Sequence, residues 1–280
     1  MTHPQIAAFA RLAKENDLPT RTIEGQKTLI SRTMHGFAYD PIHDEIIVNS
    51  PLTQAVLVFR GGAKGEEAPL RVIRGPKAQI VGMGYAALDT VSVDPQNNEI
   101  FLPVGTGAYG GLGANQGAPG NYKEGVLVFD RLANGDVAPK RFLSGPDTQI
   151  RGVSHVAIDP VRNLLIVKST GLLIFDRAAN GNVKPLRVIR GPKAGNIGRG
   201  QFQIYPEKGL VVAPLGGGFG VWKVTDDGDV APCWRIPVQQ IVGGAPQNTG
   251  VALDPIHKEL FVANGPLNRV FTFYFPEMFD

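Results

Sequence analysis

The chain has 280 residues, of which 43% are hydrophobic and 19% charged, with a formal net charge of +3 at pH 7. This composition supports a sizeable core, disfavours disorder and a coiled coil, and is too weakly basic to argue for nucleic acid. A single cysteine, Cys233, excludes an internal disulfide framework and a Cys-rich metal site. No apolar run approaches the roughly 20 residues of a membrane span, and the opening MTHPQIAAFARLAKE lacks a signal-peptide apolar core. The expected compartment is therefore cytoplasmic by default, or secreted or periplasmic if a leader is removed. With 35 Gly and 22 Pro, the chain is punctuated into many short elements.

In chain order, Pro4 fits a first helical position, and Ile6, Phe9, Ala10 and Ala13 share one helical face. This predicts a short helix over 4–15, although the spacing of the same residues also reads as a remnant of a repeated strand. Residues 20–25, TRTIEG, read as a strand. A repeat then takes over. An apolar stretch ending in Asp-Pro appears as FAYDP at 37–41, VSVDP at 91–95, VAIDP at 156–160 and VALDP at 251–255, with FQIYP at 202–206 as a variant. Each is followed by a polar turn and an apolar run: EIIV at 45–48, EIFL at 99–102, LLIV at 164–167, GLVV at 209–212 and ELFV at 259–262.

A second module recurs as VLVFRGGAKGEEAPLRVIRGP at 56–76, VLVFDRLANGDVAPKRFLSGP at 126–146 and LLIFDRAANGNVKPLRVIRGP at 172–192, with a degenerate copy at 220–237. The aromatic-to-proline distance is ten residues at Phe9–Pro19, Phe59–Pro69, Phe129–Pro139, Phe175–Pro185 and Trp222–Pro232. Each unit therefore reads as four antiparallel strands, a to d, whose b and c runs are continuously apolar because sheets cover both faces. Tandem four-stranded units are β-propeller blades. The fold expected is all-β: a single five-bladed propeller over 1–280. Its blades lie near 34–75, 89–145, 154–191, 201–239 and 249–280 plus 19–26, with strand 20–25 closing the ring as outer strand of the last blade.

The motif VFDRxANGxxxPxRxIxGP resembles the NHL and YVTN-like propeller repeats of bacterial proteins, and the likeness runs from Phe9 to Phe275. The resemblance implies the fold more than the function, because such propellers include metal-dependent lactonases, lyases and pure binding scaffolds. The Glu, Asn and Asp cluster of the lactonases does not map onto this chain residue by residue.

Antiparallel alternation places the d-to-a links and b-to-c loops on one face and the a-to-b and c-to-d turns on the other. The Asp-Pro motifs at Asp40, Asp94, Asp159 and Asp254 and the Asn-Gly turns at 133–135 and 179–181 then read as turn chemistry. Arg71, Arg141 and Arg187 read as solvated or paired on the outer edge. The d-to-a links carry Lys27, Arg32, Lys77, Arg151, Lys193 and Arg199 against Asp147 alone, which suggests a basic mouth attractive to anions. At the starts of the a strands stand His35, Asp89, His155, Gln201 and Thr249. Two histidines and a carboxylate suit a divalent metal ion or acid–base work, so His35, Asp89 and His155 are the candidate catalytic and metal-binding residues. The Gly-rich insertion 103–125, with Tyr109 and Tyr122, falls on the same face and reads as a binding lid or a flexible loop. Its GTGAYGG lacks the strand-to-helix context of a phosphate loop. The candidate ligand-binding set is Arg32, His35, Asp89, Tyr109, Arg151, His155, Arg199, Gln201 and Thr249.

No GxSxG nucleophile, paired glycosidase acids or interleaved basic and aromatic residues occur. Cys233 reads as an inert, partly buried thiol, and the aromatic tail 273–280 as core packing, or a docking element if Phe279 is exposed. The functional expectation is a non-catalytic binding scaffold for an anionic small ligand or a protein partner on the face of the 103–125 insertion. It needs no cofactor, nucleic acid or membrane span. The alternative is a metal-assisted hydrolase, lactonase or lyase at the channel mouth, with one divalent ion.

Overall fold

Short apolar runs bounded by Gly, Pro and Asp cannot build long helices, and they settle as paired strands. The computed structural model describes residues 4–31, 36–80, 90–105, 124–153, 155–197, 200–243, 248–264, 267 and 269–280. Strands β1 (Gln5–Ala8) and β2 (Arg21–Glu24) form an antiparallel pair. Three more groups then repeat one order. They are β3 (Phe37–Asp40), β4 (Glu45–Ser50), β5 (Ala55–Arg60) and β6 (Arg71–Ile73); β7 (Ser92–Asp94), β8 (Glu99–Val104), β9 (Gly125–Asp130) and β10 (Arg141–Ser144); and β11 (His155–Asp159), β12 (Leu164–Lys168), β13 (Leu172–Asp176) and β14 (Arg187–Ile189). A fourth group is β15 (Gln203–Tyr205), β16 (Leu210–Leu215), β17 (Gly218–Lys223) and β18 (Trp234–Ile236). The last sheet has three strands, β19 (Asn248–Asp254), β20 (Glu259–Asn264) and β21 (Arg269–Tyr274).

The chain divides into two compact units, Met1–Phe142 and Leu143–Asp280. In the first, Ile47, Val56, Val58 and Ile73 of one sheet pack with Ile100, Leu102, Leu127 and Phe129 of the next. In the second, Ile166, Ile174 and Ile189 meet Val211 and Trp222, while Val212 and Val221 meet Leu260 and Val262. Each fully buried side chain of this kind contributes about 1.5–3 kcal/mol. In the four complete sheets strand b is buried throughout and strand c along all but its last residue, as their continuous apolar runs require.

The expected helix over 4–15 is absent: residues 5–8 are strand β1. Its pairs Ile6–Ile23 and Ala8–Arg21 match Val56–Ile73 and Val58–Arg71 in the first complete sheet, so β1 and β2 are a c–d pair. The repeat spacing outweighed the local helical periodicity, because the sheet partner is tertiary. Strand 20–25 is present, but its ladder is with β1, and the sheet expected to receive it has three strands. The last residues form a short helix, Pro276–Phe279, with Met278 and Phe279 buried and Phe279 edge-on to Tyr205 at 5.3 Å. Met278 and Phe279 pack in the core while Tyr274 is exposed, and the docking role that needed an exposed Phe279 is withdrawn. Cys233, expected partly buried, is exposed, with its thiol directed at the Val221 carbonyl at 3.1 Å.

The Asp-Pro turns act as expected. Asp40 accepts the N–H groups of Ile42 and His43, Asp159 those of Val161 and Arg162, Asp94 that of Asn97 and Asp254 that of His257. His43 and His257 lie with Nδ1 at 2.8 and 2.7 Å from the same carboxylates. On the outer strands Arg71 binds Glu45 at 2.6 Å, and Arg141 grips Glu99 with two 2.7 Å bonds. Burial opposes ionisation of Glu99, but the hydrogen bonds from Arg141 and Lys140 outweigh it and hold its carboxyl at about 2.

Candidate functional site

The c-to-d connections do not stay at the far end of their sheets. A glycine in each reaches back to the outer strand of the preceding sheet and makes a parallel bridge: Gly65 to Ile23, Gly135 to Ile73, Gly181 to Leu143 and Gly228 to Ile189. The next residue then caps the following d-to-a link. Asp136 Oδ1 accepts from Lys77 N–H at 2.7 Å and Ala78 N–H at 3.2 Å, and Asp229 Oδ1 accepts from Lys193 and Ala194 at 2.6 and 3.0 Å. Glu66 accepts from Gln26, and Asn182 from Asp147. The glycine of each Gly-Pro or Gly-Gln turn sits beneath the cap. At Gly75, with φ of 135°, an added Cβ would lie 2.4 Å from Asp136 Cγ. This corrects the assignment of all c-to-d residues to the far face.

The clasp also revises the basic mouth. Lys27, Lys77 and Lys193 are exposed, but their turns rest on Glu66, Asp136 and Asp229. Where the exposed position is Asp147, the cap is an amide, and Asn182 Nδ2 donates back to Asp147 Oδ2 at 2.9 Å. The backbone N–H groups of Gln26, Lys77 and Lys193 are thus held by Glu66, Asp136 and Asp229, whereas that of Arg151 is held by Ser169 Oγ. The motif was legible in sequence as an acid or amide directly after a glycine in each c-to-d connection. Its partner was not.

Of the predicted site residues, Arg32, His35, Asp89, Tyr109 and Arg199 lie outside the described residues, as does Tyr122 with most of the 103–125 insertion. The ends of that insertion are held by the Val104–Gly125 pair of β8 and β9. Arg151 is exposed, and its backbone is tied to Ser169 Oγ, which accepts from Arg151 N–H at 2.7 Å and donates to its carbonyl at 2.6 Å. Ser50 holds Ser31 N–H in the equivalent way. These serines join b-strand ends to d-to-a links within each sheet, as the alternation argument expected.

In the second unit three a-strand starts converge. His155 packs edge-on against Phe202 with centroids 4.5 Å apart, and the neighbouring Gln201 lies against Gly250, where a Cβ would be 3.3 Å from Gln201 Oε1. Gly250 follows Thr249 in β19. His155 is buried and cross-strand from buried Lys168. Burial, then the Lys168 charge, drives its imidazole down to about 3, although a bond to the Phe202 backbone works the other way. His155 is thus neutral at pH 7, and its Nδ1 has no partner among the described residues. A neutral imidazole is the ligating form, but no group of three or more His, Cys, Asp or Glu side chains that could hold a metal ion occurs among the described residues. Nor do the described residues include a helix long and apolar enough to cross a membrane.

Tandem antiparallel sheets of this order define a β-propeller fold. No protein-family model and no curated protein matches the chain. Among solved structures, a chain of a mitotic checkpoint complex is similar over 91% of this chain and 66% of that one, with a TM-score of 0.54 and 12% sequence identity. This chain therefore spans just under two thirds of that chain's length. Because 655 solved chains match, the likeness speaks for the fold alone.

Proposed function

We propose that this chain is a non-catalytic β-propeller scaffold, of NHL or YVTN-like repeat type, that binds a protein partner through its d-to-a links and the 103–125 insertion. The observation that carries this reading is the repeated clasp. It fixes the backbone beneath one exposed ionic side chain per link, Lys27 and Lys77 in the first unit and Asp147 and Lys193 in the second. Rigid turns with varied exposed charges suit a mixed-charge protein surface. The carboxylates beneath the lysines weigh against a small anion, the other ligand expected from the sequence. Kinship of fold with a chain found in a checkpoint complex is consistent with partner binding.

The test is cross-linking and partner capture from the native source, comparing wild type with Lys27→Glu/Lys77→Glu and with deletion of 106–122. Loss of the same partner in both variants is expected. Undiminished capture by both would overturn the reading. Saturable binding of phosphate or citrate, abolished by Lys27→Ala/Lys77→Ala, would restore the anionic ligand.

A further inference from the structure

Two of the bridging turns carry Asn-Gly, a pair prone to spontaneous loss of the side-chain amide: Asn134–Gly135 and Asn180–Gly181. In a free chain the backbone nitrogen of the glycine attacks Cγ of the asparagine, because no Cβ on the glycine blocks the approach. The N–Cγ bond forms, the Cγ–Nδ2 bond breaks and ammonia leaves. Water then opens the succinimide ring. Cleavage of the bond to Cγ gives aspartate. Cleavage of the bond to the main-chain carbonyl gives isoaspartate, whose backbone is longer by one carbon.

In the fold, Val72 engages both reacting groups of the first pair. Gly135 N–H donates to the Val72 carbonyl at 2.7 Å, and Asn134 Oδ1 accepts from Val72 N–H at 3.0 Å. The Gly135 carbonyl in turn accepts from Arg74 N–H at 3.1 Å. Before the ring can close, the glycine nitrogen must give up its bond to Val72 and the carboxamide must leave Val72 N–H. Asn134 and Gly135 are nonetheless exposed, within reach of water. At the second pair Gly181 bridges Leu143, and its carbonyl accepts from Ser144 N–H at 3.1 Å.

The turn at Gly228 shows which product the fold accepts. There the preceding residue is Asp227, whose Oδ1 accepts from Val188 N–H at 2.8 Å, while Gly228 N–H donates to the Val188 carbonyl at 2.7 Å. An ordinary aspartate at 134 therefore keeps the clasp. An isoaspartate lengthens the chain between the Val72 contact and Asp136, which holds the N–H groups of Lys77 and Ala78.

We propose that Asn134–Gly135 and Asn180–Gly181 are modification sites gated by the clasp. Each is spared while its turn is bridged, converts to isoaspartate once the turn opens, and then cannot close again. This goes beyond the binding reading above and does not depend on it, because the readout is a covalent change.

The test follows the full chain at mildly alkaline pH, in native buffer and in denaturing urea. Peptide mapping by mass spectrometry, with chromatographic separation of aspartate and isoaspartate forms, gives the rate at each site. Conversion at Asn134 and Asn180 is expected to be about a hundredfold slower in native buffer, since several hydrogen bonds must open first. Asp136→Ala removes the tie between the turn and the link. It is expected to speed conversion at Asn134 about fivefold while Asn180 keeps the wild-type rate. The rate of the variant in urea corrects for its altered sequence. Protein carrying isoaspartate at 134 is expected to lose amide-exchange protection at Lys77 and Ala78, whereas Asn134→Asp retains it. Equal rates at Asn134 in native buffer and urea would overturn the proposal. So would an Asp136→Ala variant that speeds neither site or both alike, or an isoaspartate product that keeps Lys77 and Ala78 protected.

Discussion

The first complete sheet and the last sheet share a repeat but differ in completeness. Strand β5, flanked by β4 and β6, is buried along its first five residues, and Phe59 is fully inaccessible. Strand β21 pairs with β20 in the same register, yet it alternates between exposed and half-buried. Pairing with strand b alone does not bury strand c. In each complete sheet an outer strand flanks strand c, whether it carries an arginine as in β6 or Trp234 as in β18, so the same apolar pattern yields a core strand in one place and an edge in another.

The widest predicted gap is in core truncation. Phe59→Ala should cost about 3–5 kcal/mol, and Phe273→Ala, already half exposed, about 1–2 kcal/mol. Urea denaturation measures both, and equal losses would show that β21 is as well packed as β5. Next is the outer-strand ion pair. Arg141→Ala removes both 2.7 Å bonds to the buried Glu99 carboxylate and should cost about 3 kcal/mol at pH 7. The Glu99 carboxyl lies at about 2 in the fold against 4.5 unfolded. Its stabilisation is therefore complete above pH 4.5 and lost as pH falls toward 2. Stability measured across that window should be steeper in wild type than in Arg141→Ala.

The clasp comes third. Gly75→Ala places a Cβ against Asp136 at a left-handed φ and should cost about 2 kcal/mol. Asp136→Ala removes the acceptor for two N–H groups and should cost about 1 kcal/mol. Thermal melts of the two variants and their double mutant check the coupling, because removing Asp136 relieves the contact with the new Cβ while the strain of the left-handed φ remains. The smallest effect belongs to the incomplete sheet. Val270→Ala, at a side chain 68% exposed, should change stability by less than about 0.5 kcal/mol. A loss as large as that of Phe59→Ala would mean that β21 is as closely packed there as β5.

Much of the architecture was legible in the sequence because it is local and repeated. Apolar runs specify strands b and c, Asp-Pro specifies the a-to-b turn, and the ten-residue aromatic-to-proline spacing specifies the c–d pair, including the one at Phe9 that periodicity alone misread as helix. Of the candidate residues, His155 begins β11, Gln201 lies two residues before β15, and Arg151 lies in the link that precedes β11. Only the tertiary structure decided what those residues do. Burial under Phe202 and beside Lys168 makes His155 a neutral, enclosed imidazole rather than an exposed acid–base group. Contacts between residues some 35 to 60 positions apart placed carboxylates against the backbone of the turns that carry Lys77 and Lys193. A repeat can encode its own strands because their hydrogen-bonding partners lie a few residues away. It cannot reveal which side chain of the next repeat will reach back, or which edge is left without a neighbour, because those depend on how successive sheets pack.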